Sequence, residues 1–522
     1  MTGGLSWAAG CFFLEKKERD KMERIRFTAA ILAGLLLSGG CASQPEERSY
    51  ASDPEIRQER MQKYRQEVRS GQKQEPLQGQ LTLPEAIARA VKYNLDHRVK
   101  QLETVVAIRH LDLAKTGFLP EIVAQAGYSS RDNEAGAISR SLATGDVSLE
   151  YSTSQEKSHT LSSLRASWDL IDFGLAYYNV QQEKDNAAMA GEQRRKVVQN
   201  IIQDVQEAYW RTYIAQQISG RINEILQESD KALERFRQLA ESGRIDPLEG
   251  LNNQREILQI RYRVRSLQEQ LSQGPIHLAA LLNLPPGTKI AVAPGSERLE
   301  LPELTSDAER LEELALLNRP ELLMEDSKLK VSSADVRKSL LEMFPHLEFY
   351  GQYTHDSNEY LYNNDWSEVG VQLTWNLLTS AGSLGRYGAY QAEKRLAEGR
   401  HRALSMAVVS QVHLAINRYH MARARYLDSA ELQKVSRELA SMINQDNLRK
   451  ASGSFARIQA NLQAAAAQME TMLTYAEGQN ALMRLYNTLG LDPLSKINQN
   501  DSIQEISLAI EDYFQGAVNS MM

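Results

Sequence analysis

Cysteine is almost absent. The only two, Cys11 and Cys41, lie near the start of a 522-residue chain. Disulfide frameworks, thiolate zinc sites and cysteine nucleophiles are therefore excluded from the body of the protein. Long apolar runs are lacking too. Mean hydropathy is -0.45, too polar for a bundle of membrane helices, each of which needs about 20 apolar residues. There is no basic surplus: 60 Lys and Arg stand against 67 Asp and Glu, a net charge of -7. That excludes a dominant nucleic-acid-binding surface. Proline numbers only 14, and the places it avoids are informative below. Hydrophobic residues (42%) and charged residues (24%) are at globular levels.

One short stretch is strongly apolar, residues 27–37 (FTAAILAGLLL). Arg24 and Arg26 precede it, and Ser38-Gly39-Gly40-Cys41 follows. A basic start, a short apolar centre and small residues describe a secretory signal, and the run is too short to span a bilayer. Its end resembles a bacterial lipoprotein signal, although Ser38 stands where leucine is commoner. That resemblance implies that Cys41 becomes the lipidated first residue. Met22 opens a conventional signal (MERIRF), so residues 1–21 are expected to precede the true start and 22–40 to be the signal peptide. Residues 41–80 are rich in Gln, Glu, Arg and Ser and read as a polar tether.

The remainder is one unit written twice. Residues 86–128 run in parallel with 309–353: Asn94 stands opposite Asn318, Pro120 opposite Pro345, and Tyr128 opposite Tyr353. Further on, Ser242-Gly243 stands opposite Ser452-Gly453, and Leu284-Pro285 opposite Leu491-Asp492-Pro493. So long a period is no solenoid repeat. It describes a duplicated domain, with copies at 81–298 and 299–500 and a tail at 501–522. Each copy predicts a helix (86–117, 309–342), two strands with a loop, a very long helix and a further helix. No proline falls between Pro120 and Pro247, or between Pro345 and Pro493. Helix formers fill 176–241 and 386–450. A helix of about 65 residues is about 100 Å long and needs a coiled-coil partner.

The strands show as alternation. Val369, Val371, Leu373, Trp375 and Leu377 alternate with Glu368, Gly370, Gln372, Thr374 and Asn376; Leu164, Ala166, Trp168 and Leu170 alternate with Ser163, Arg165, Ser167 and Asp169. Segments 121–130 and 346–355 alternate less cleanly. A soluble sandwich also shows one apolar and one polar face. Four strands cannot close a membrane barrel, which needs at least about eight, and an open edge is not tolerated in lipid. If these strands span a membrane, several chains must share one barrel, and three chains would supply twelve strands. Tyr128, Tyr350, Tyr353, Trp366 and Trp375 lie where interfacial girdles would be expected.

The duplicated order helix, hairpin, long helix, turn, helix resembles the TolC-like outer-membrane factors, the outer membrane efflux proteins, over about 81–500. LTLPEAIARAVKYN and LEELALLNRPELLMEDSKL resemble the repeat openings of that family. AKTGFLPEIVAQAGY and LLEMFPHLEFYGQY resemble its helix-to-strand entries, and WDLIDFG and WNLLTSAG its strand-to-helix exits. RFRQLAESGRIDPLEGLNNQ and NLRKASGSFARIQANLQ resemble its helix hairpins. The resemblance implies a mainly α fold with a small β part. It implies a homotrimer with a shared 12-stranded barrel in the outer membrane of a Gram-negative bacterium and an α-helical tunnel through the periplasm. It also implies a passive conduit with no cofactor, coupled to a periplasmic adaptor (a membrane fusion protein) and an inner-membrane transporter. A lipid-anchored coiled-coil scaffold or adaptor without a pore is the alternative, disfavoured by the duplicated hairpins.

Two helix-hairpin tips are expected, Ser242-Gly243-Arg244-Ile245-Asp246 and Ser452-Gly453-Ser454-Phe455. Each glycine is expected to end a long helix, and Pro247 to open the next. The resemblance adds adaptor contact at both tips. It also places a tunnel constriction about two turns beyond the second tip. Gln459 and Leu462 stand there instead of an aspartate, with Arg457 and Glu249 as further candidates. His413 and His420, seven apart on a helix, have no third ligand in sequence, so no metal site is expected. No nucleophile elbow, phosphate loop or dinucleotide fingerprint is present, so no catalytic residue is assigned. Palmitate labelling should mark the wild-type protein and not Cys41→Ser; equal labelling of the two would place the lipid elsewhere.

Overall fold

The computed structural model describes residues 54–69, 74–77, 79–285, 287–293, 300–445, 451–493 and 501–521. Cys41 and the signal segment lie outside them. The chain separates into two units, residues 1–71 and 72–522. The described part of the first is one helix, α1 (Pro54–Arg69), within the stretch expected to be a tether. Its sequence is dominated by Glu, Arg, Gln and Lys, good helix formers. The far end of the expected tether belongs to the second unit. Gln74 donates to the carbonyls of Leu282 and Asn283.

The second unit carries the duplication. Its first copy runs α2 (Leu83–Tyr93), α3 (Leu95–Lys115), β1 (Glu121–Ser130), the short strands β2 (Gly136–Ala137) and β3 (Ser152–Thr153), β4 (Ser158–Asp169), α4 (Leu170–Glu241), α5 (Pro247–Ser272) and α6 (Gly274–Leu281). The second runs α7 (Ala308–Asn318), α8 (Pro320–Leu341), β5 (His346–Asp356), β6 (Asp365–Thr374), α9 (Leu377–Gln445) and α10 (Ala451–Thr488). A final helix, α11 (Ile503–Met521), packs on α2 through Ile503, Ile506 and Ile510.

The opening helix of each copy is broken where continuity was expected. Asn94 ends α2 through its backbone N–H and starts α3 through Oδ1, which accepts from the N–H of Asp96 (2.9 Å) and His97 (3.2 Å). In the second copy Pro320 opens α8 and holds Arg319 in an extended conformation, as the residue before a proline prefers.

α4 has 72 residues and α9 has 69, so each is roughly 100 Å long. Their seams explain why they stay paired. Ile218, Ile222, Ile225, Ser229, Ala232 and Phe236 are buried along α4. Gly250, Ile257, Val264 and Leu271 are buried on α5 at every seventh position, which is heptad packing. α9 pairs with α10 in the same way, and α4 also contacts α10 and α8, which joins the two copies.

The duplication extends to one buried phenol per copy. Tyr209 on α4 donates to the carbonyls of Leu81 (3.1 Å) and Ala293 (2.7 Å). Tyr419 on α9 donates to the carbonyl of Pro302 at 2.5 Å. Both tyrosines are fully buried, and burial raises both phenols, Tyr419 to about 12. Each fixes the linker segment beside the start of its repeat against the middle of its long helix.

α10 ends in a left-handed glycine, Gly490 (φ +71°). The N–H of Leu491 bonds to Tyr486 O and that of Gly490 to Asn487 O, the paired bonds of a Schellman ending. A β-carbon on Gly490 would lie 2.6 Å from the carbonyl oxygen of Asn318 and 2.8 Å from the α-carbon of Arg319, so the end of α10 seats directly on the α7–α8 break. Gly243, after α4, has φ +64° but open space around it. Gly243→Ala should cost about 1 kcal/mol from backbone conformation alone. Gly490→Ala should lower the thermal midpoint of the purified protein severalfold more; equal shifts would show that the junction yields.

Candidate functional site

The four long strands form one antiparallel sheet in the order β1-β4-β5-β6. The two hairpins expected separately are joined by the β4–β5 pair, which aligns Leu164 with Tyr353 and Trp168 with Phe349. Directly opposed residues in antiparallel strands share a face, so the register fixes both faces. One face carries Ile122, Leu164, Trp168, Phe349, Val371 and Leu373. These are between 50% and 66% exposed in the chain, a contiguous apolar patch of the kind that marks a membrane or protein contact.

The opposite face is polar. It carries Glu121, Arg165, Glu348, Gln352, Glu368 and Gln372. Arg165 pairs with Glu348 at 3.0 Å and lies 4.3 Å over the ring of Tyr350. The Tyr350 hydroxyl donates to Glu368 at 2.8 Å. Gly370 makes room for that ring, since a β-carbon there would lie 2.6 Å from it. Tyr350 and Trp366 therefore belong to the polar face and not to an aromatic girdle, which corrects the expectation for both. Strand alternation puts Tyr128 and Tyr353 on the apolar side, while Trp375 follows the end of β6.

At the helix end of the sheet, Asp169 caps α4 by accepting from the N–H of Ile171 and Asp172 and also meets His346 Nδ1 at 3.2 Å. Ligand-type atoms of Asp169, Asp172 and His346 all lie within 4.8 Å. Burial, reinforced by Asp169, pushes the Asp172 carboxyl up. The sequence did not single out this group, because its members come from different repeats. At the loop end, the side chain of Asn358 accepts from the N–H of Glu156 and donates to the carbonyl of Ser154, clasping the two strand-connecting loops together. His159 and Asp356 meet beside it at 2.8 Å.

The first helix-hairpin tip has the expected form. Arg244 N–H bonds to Leu239 O and Gly243 N–H to Ala240 O, and Ser242 Oγ donates to Leu239 O. Asp246 accepts from the N–H of Leu248 at 2.8 Å and of Glu249 at 3.3 Å, with Pro247 at the first helical position. Ile245 is half-buried against Gly250, while Arg244, Asp246 and Glu249 are exposed.

The second tip differs. α9 ends at Gln445 and α10 already begins at Ala451, so Ser452, Gly453, Ser454 and Phe455 lie in the first turns of α10. Gly453 does not end the long helix. Small polar residues that read as a stop also suit a helix start. The connection itself, 446–450, lies outside the described residues.

Among the constriction candidates, Leu462 is a correction. It is fully buried in the helical core, because it falls on the apolar seam of α10 with Ala465 and Met469. Gln459 donates to Glu256 on α5, tying the two helix hairpins together. Arg457 and Glu249 are exposed. His413 bonds to Glu312 at 2.7 Å. No helix among the described residues is long and apolar enough to cross a membrane.

Residues 87–284 match the family model described as outer membrane efflux protein. The fold is that of solved outer-membrane channels. The OprN channel shares 18% identity at a TM-score of 0.60, covering 78% of this chain and 89% of its own. The Neisseria gonorrhoeae MtrE channel, solved in an open state, shares 16% at 0.57, covering 78% and 88%. The Campylobacter jejuni CmeC channel shares 13% at 0.58, covering 82% and 89%. A search of curated protein sequences finds no match. Residues 87–284 thus carry an outer membrane efflux protein domain, and the chain as a whole has the fold of the solved outer-membrane channels.

Proposed function

We propose that this chain is the outer-membrane component of a tripartite efflux or secretion system and acts as a passive trimeric conduit. The observation that carries the reading is the sheet. Its apolar face is exposed, its opposite face is polar, and β1 and β6 are open edges. Open edges have no place in lipid. Pairing β1 of one copy with β6 of the next closes three sheets into a 12-stranded barrel, with strands of 10 to 12 residues that match the length needed to cross a bilayer. The polar face then lines a water-filled lumen.

The helices support the same assembly. Leu248, Leu251, Leu258 and Tyr262 make an exposed stripe along α5, and Leu432, Val435, Leu439 and Met442 make another along α9. Both have the three-and-four spacing of coiled-coil seams, which neighbouring copies would cover. In this reading Cys41 anchors the chain to the outer membrane. The tips at 242–246 and 452–455 meet the periplasmic adaptor that links the tunnel to an inner-membrane transporter. Glu249 and Arg457 are the exposed charges left to narrow its end. A scaffold without a pore gives no account of the apolar sheet face.

A charge facing lipid at the bilayer centre costs about 2–4 kcal/mol. Val371→Arg should deplete the SDS-resistant trimer of outer-membrane fractions, while Gln372→Arg, on the opposite face, should assemble; equal assembly would remove the sheet from the membrane. At the tips, substituting Arg244 and Phe455 together should leave trimer abundance unchanged and abolish adaptor crosslinking and export. Normal crosslinking in that double variant would move the docking surface elsewhere.

A further inference from the structure

The polar face of the sheet is electrically lopsided. Across all four long strands Arg165 is the only lysine or arginine. On the same face stand five carboxylates: Glu121, Asp169, Glu348, Asp356 and Glu368. Asp356 and Asp169 each meet an imidazole, His159 at 2.8 Å and His346 at 3.2 Å. Arg165 cannot lose its proton, so its influence on a passing ion depends on what screens it.

Two groups do so. Glu348 takes the guanidinium edge at 3.0 Å, and the ring of Tyr350 covers its face at 4.3 Å. Tyr350 is held in that place from the other side, by its hydroxyl on Glu368 and by the missing β-carbon at Gly370. The chain of contacts runs Glu368–Tyr350–Arg165–Glu348 across β6, β5 and β4. The lone cation is thereby neutralised and shielded, while Glu368 and Glu121 keep their negative charge towards the same space.

We propose that this clasp sets the charge preference of the barrel: with Arg165 silenced by Glu348 and Tyr350, the lumen passes cationic solutes in preference to anionic ones. Rings of uncompensated carboxylates favour cations in other pores, and low-dielectric walls focus their field. The inference rests on the reading of the sheet as one third of a closed barrel. The residue that decides the preference is Glu348: without it, three guanidiniums per barrel face the lumen.

The test is the reversal potential of the full-length protein in planar bilayers under a potassium chloride gradient. The wild type should show a cation-to-anion permeability ratio above one. Glu348→Gln should lower that ratio by about twofold or more, and Arg165→Gln should raise it. Glu368→Gln, which leaves the Arg165–Glu348 pair intact, should lower it less than Glu348→Gln and serves where that variant fails to assemble. An anion-preferring wild type, or ratios unchanged in all three variants, would overturn the proposal and assign selectivity to the helical tunnel. Protein that assembles no trimer and conducts no current would instead overturn the barrel reading on which the proposal rests.

Discussion

A β-sheet with one apolar face and two unpaired edges is unstable wherever it is placed alone. In water the apolar face is exposed, and in lipid the edge N–H and C=O groups have no partners. The four-stranded sheet of this chain has both liabilities. Closure with further copies, as proposed above, would remove both at once, and the rest of the architecture is consistent with it. The strands enter and leave through helices at one end only, so each copy of the repeat must send its helices to the same side. That arrangement sends two helices of roughly 100 Å, α4 and α9, to the same side of the sheet, with shorter helices packed along them.

Helices of that length are not stabilised by propensity alone. Most of their stability comes from burying a stripe, and here each long helix has a partner from its own repeat, while α4 also contacts α8 and α10 of the other. The aliphatic seams of α4 and α5 and of α9 and α10 are of this kind. Polar links across the repeats supply register. Gln459 reaches Glu256, Arg263 pairs with Glu470, and Arg195 donates to the carbonyl of Asn318. The buried phenols of Tyr209 and Tyr419 do the same for the linkers. In each case a carbonyl that would be costly to bury unpaired receives a donor from the middle of a long helix.

The two ends of the molecule are built on opposite principles. The sheet is defined by side-chain alternation, and its polar face concentrates carboxylates around a single guanidinium. The first helix-hairpin tip is defined by backbone geometry, a left-handed glycine followed by an aspartate cap and a proline. Its exposed side chains are free to vary without disturbing the turn. The proposed conduit would need a lumen of fixed chemistry at one end and an adaptable contact at the other, and the two kinds of construction suit those needs.

Much of this was legible in the order of residues, for a physical reason. Alternation, proline avoidance and helix-ending glycines are local, so the duplication, the strands, the long helices and the tip at Gly243 could be read directly. Tertiary structure alone decided what depends on contacts across hundreds of residues. Joining the hairpins through β4 and β5 put Arg165 against Glu348 and Tyr350. The helical register of α10 buried Leu462, which a count along the sequence had set towards the tunnel. The same register drew Gly453 into a helix start, where a Ser-Gly-Ser run reads equally well as an end. Nothing in the sequence marks Tyr209 and Tyr419, because the carbonyls they satisfy lie more than a hundred positions away at Leu81 and Pro302. Composition and period determine which elements form and which face of each is apolar; which side chains meet is set by packing, since only packing brings the two copies of the repeat together.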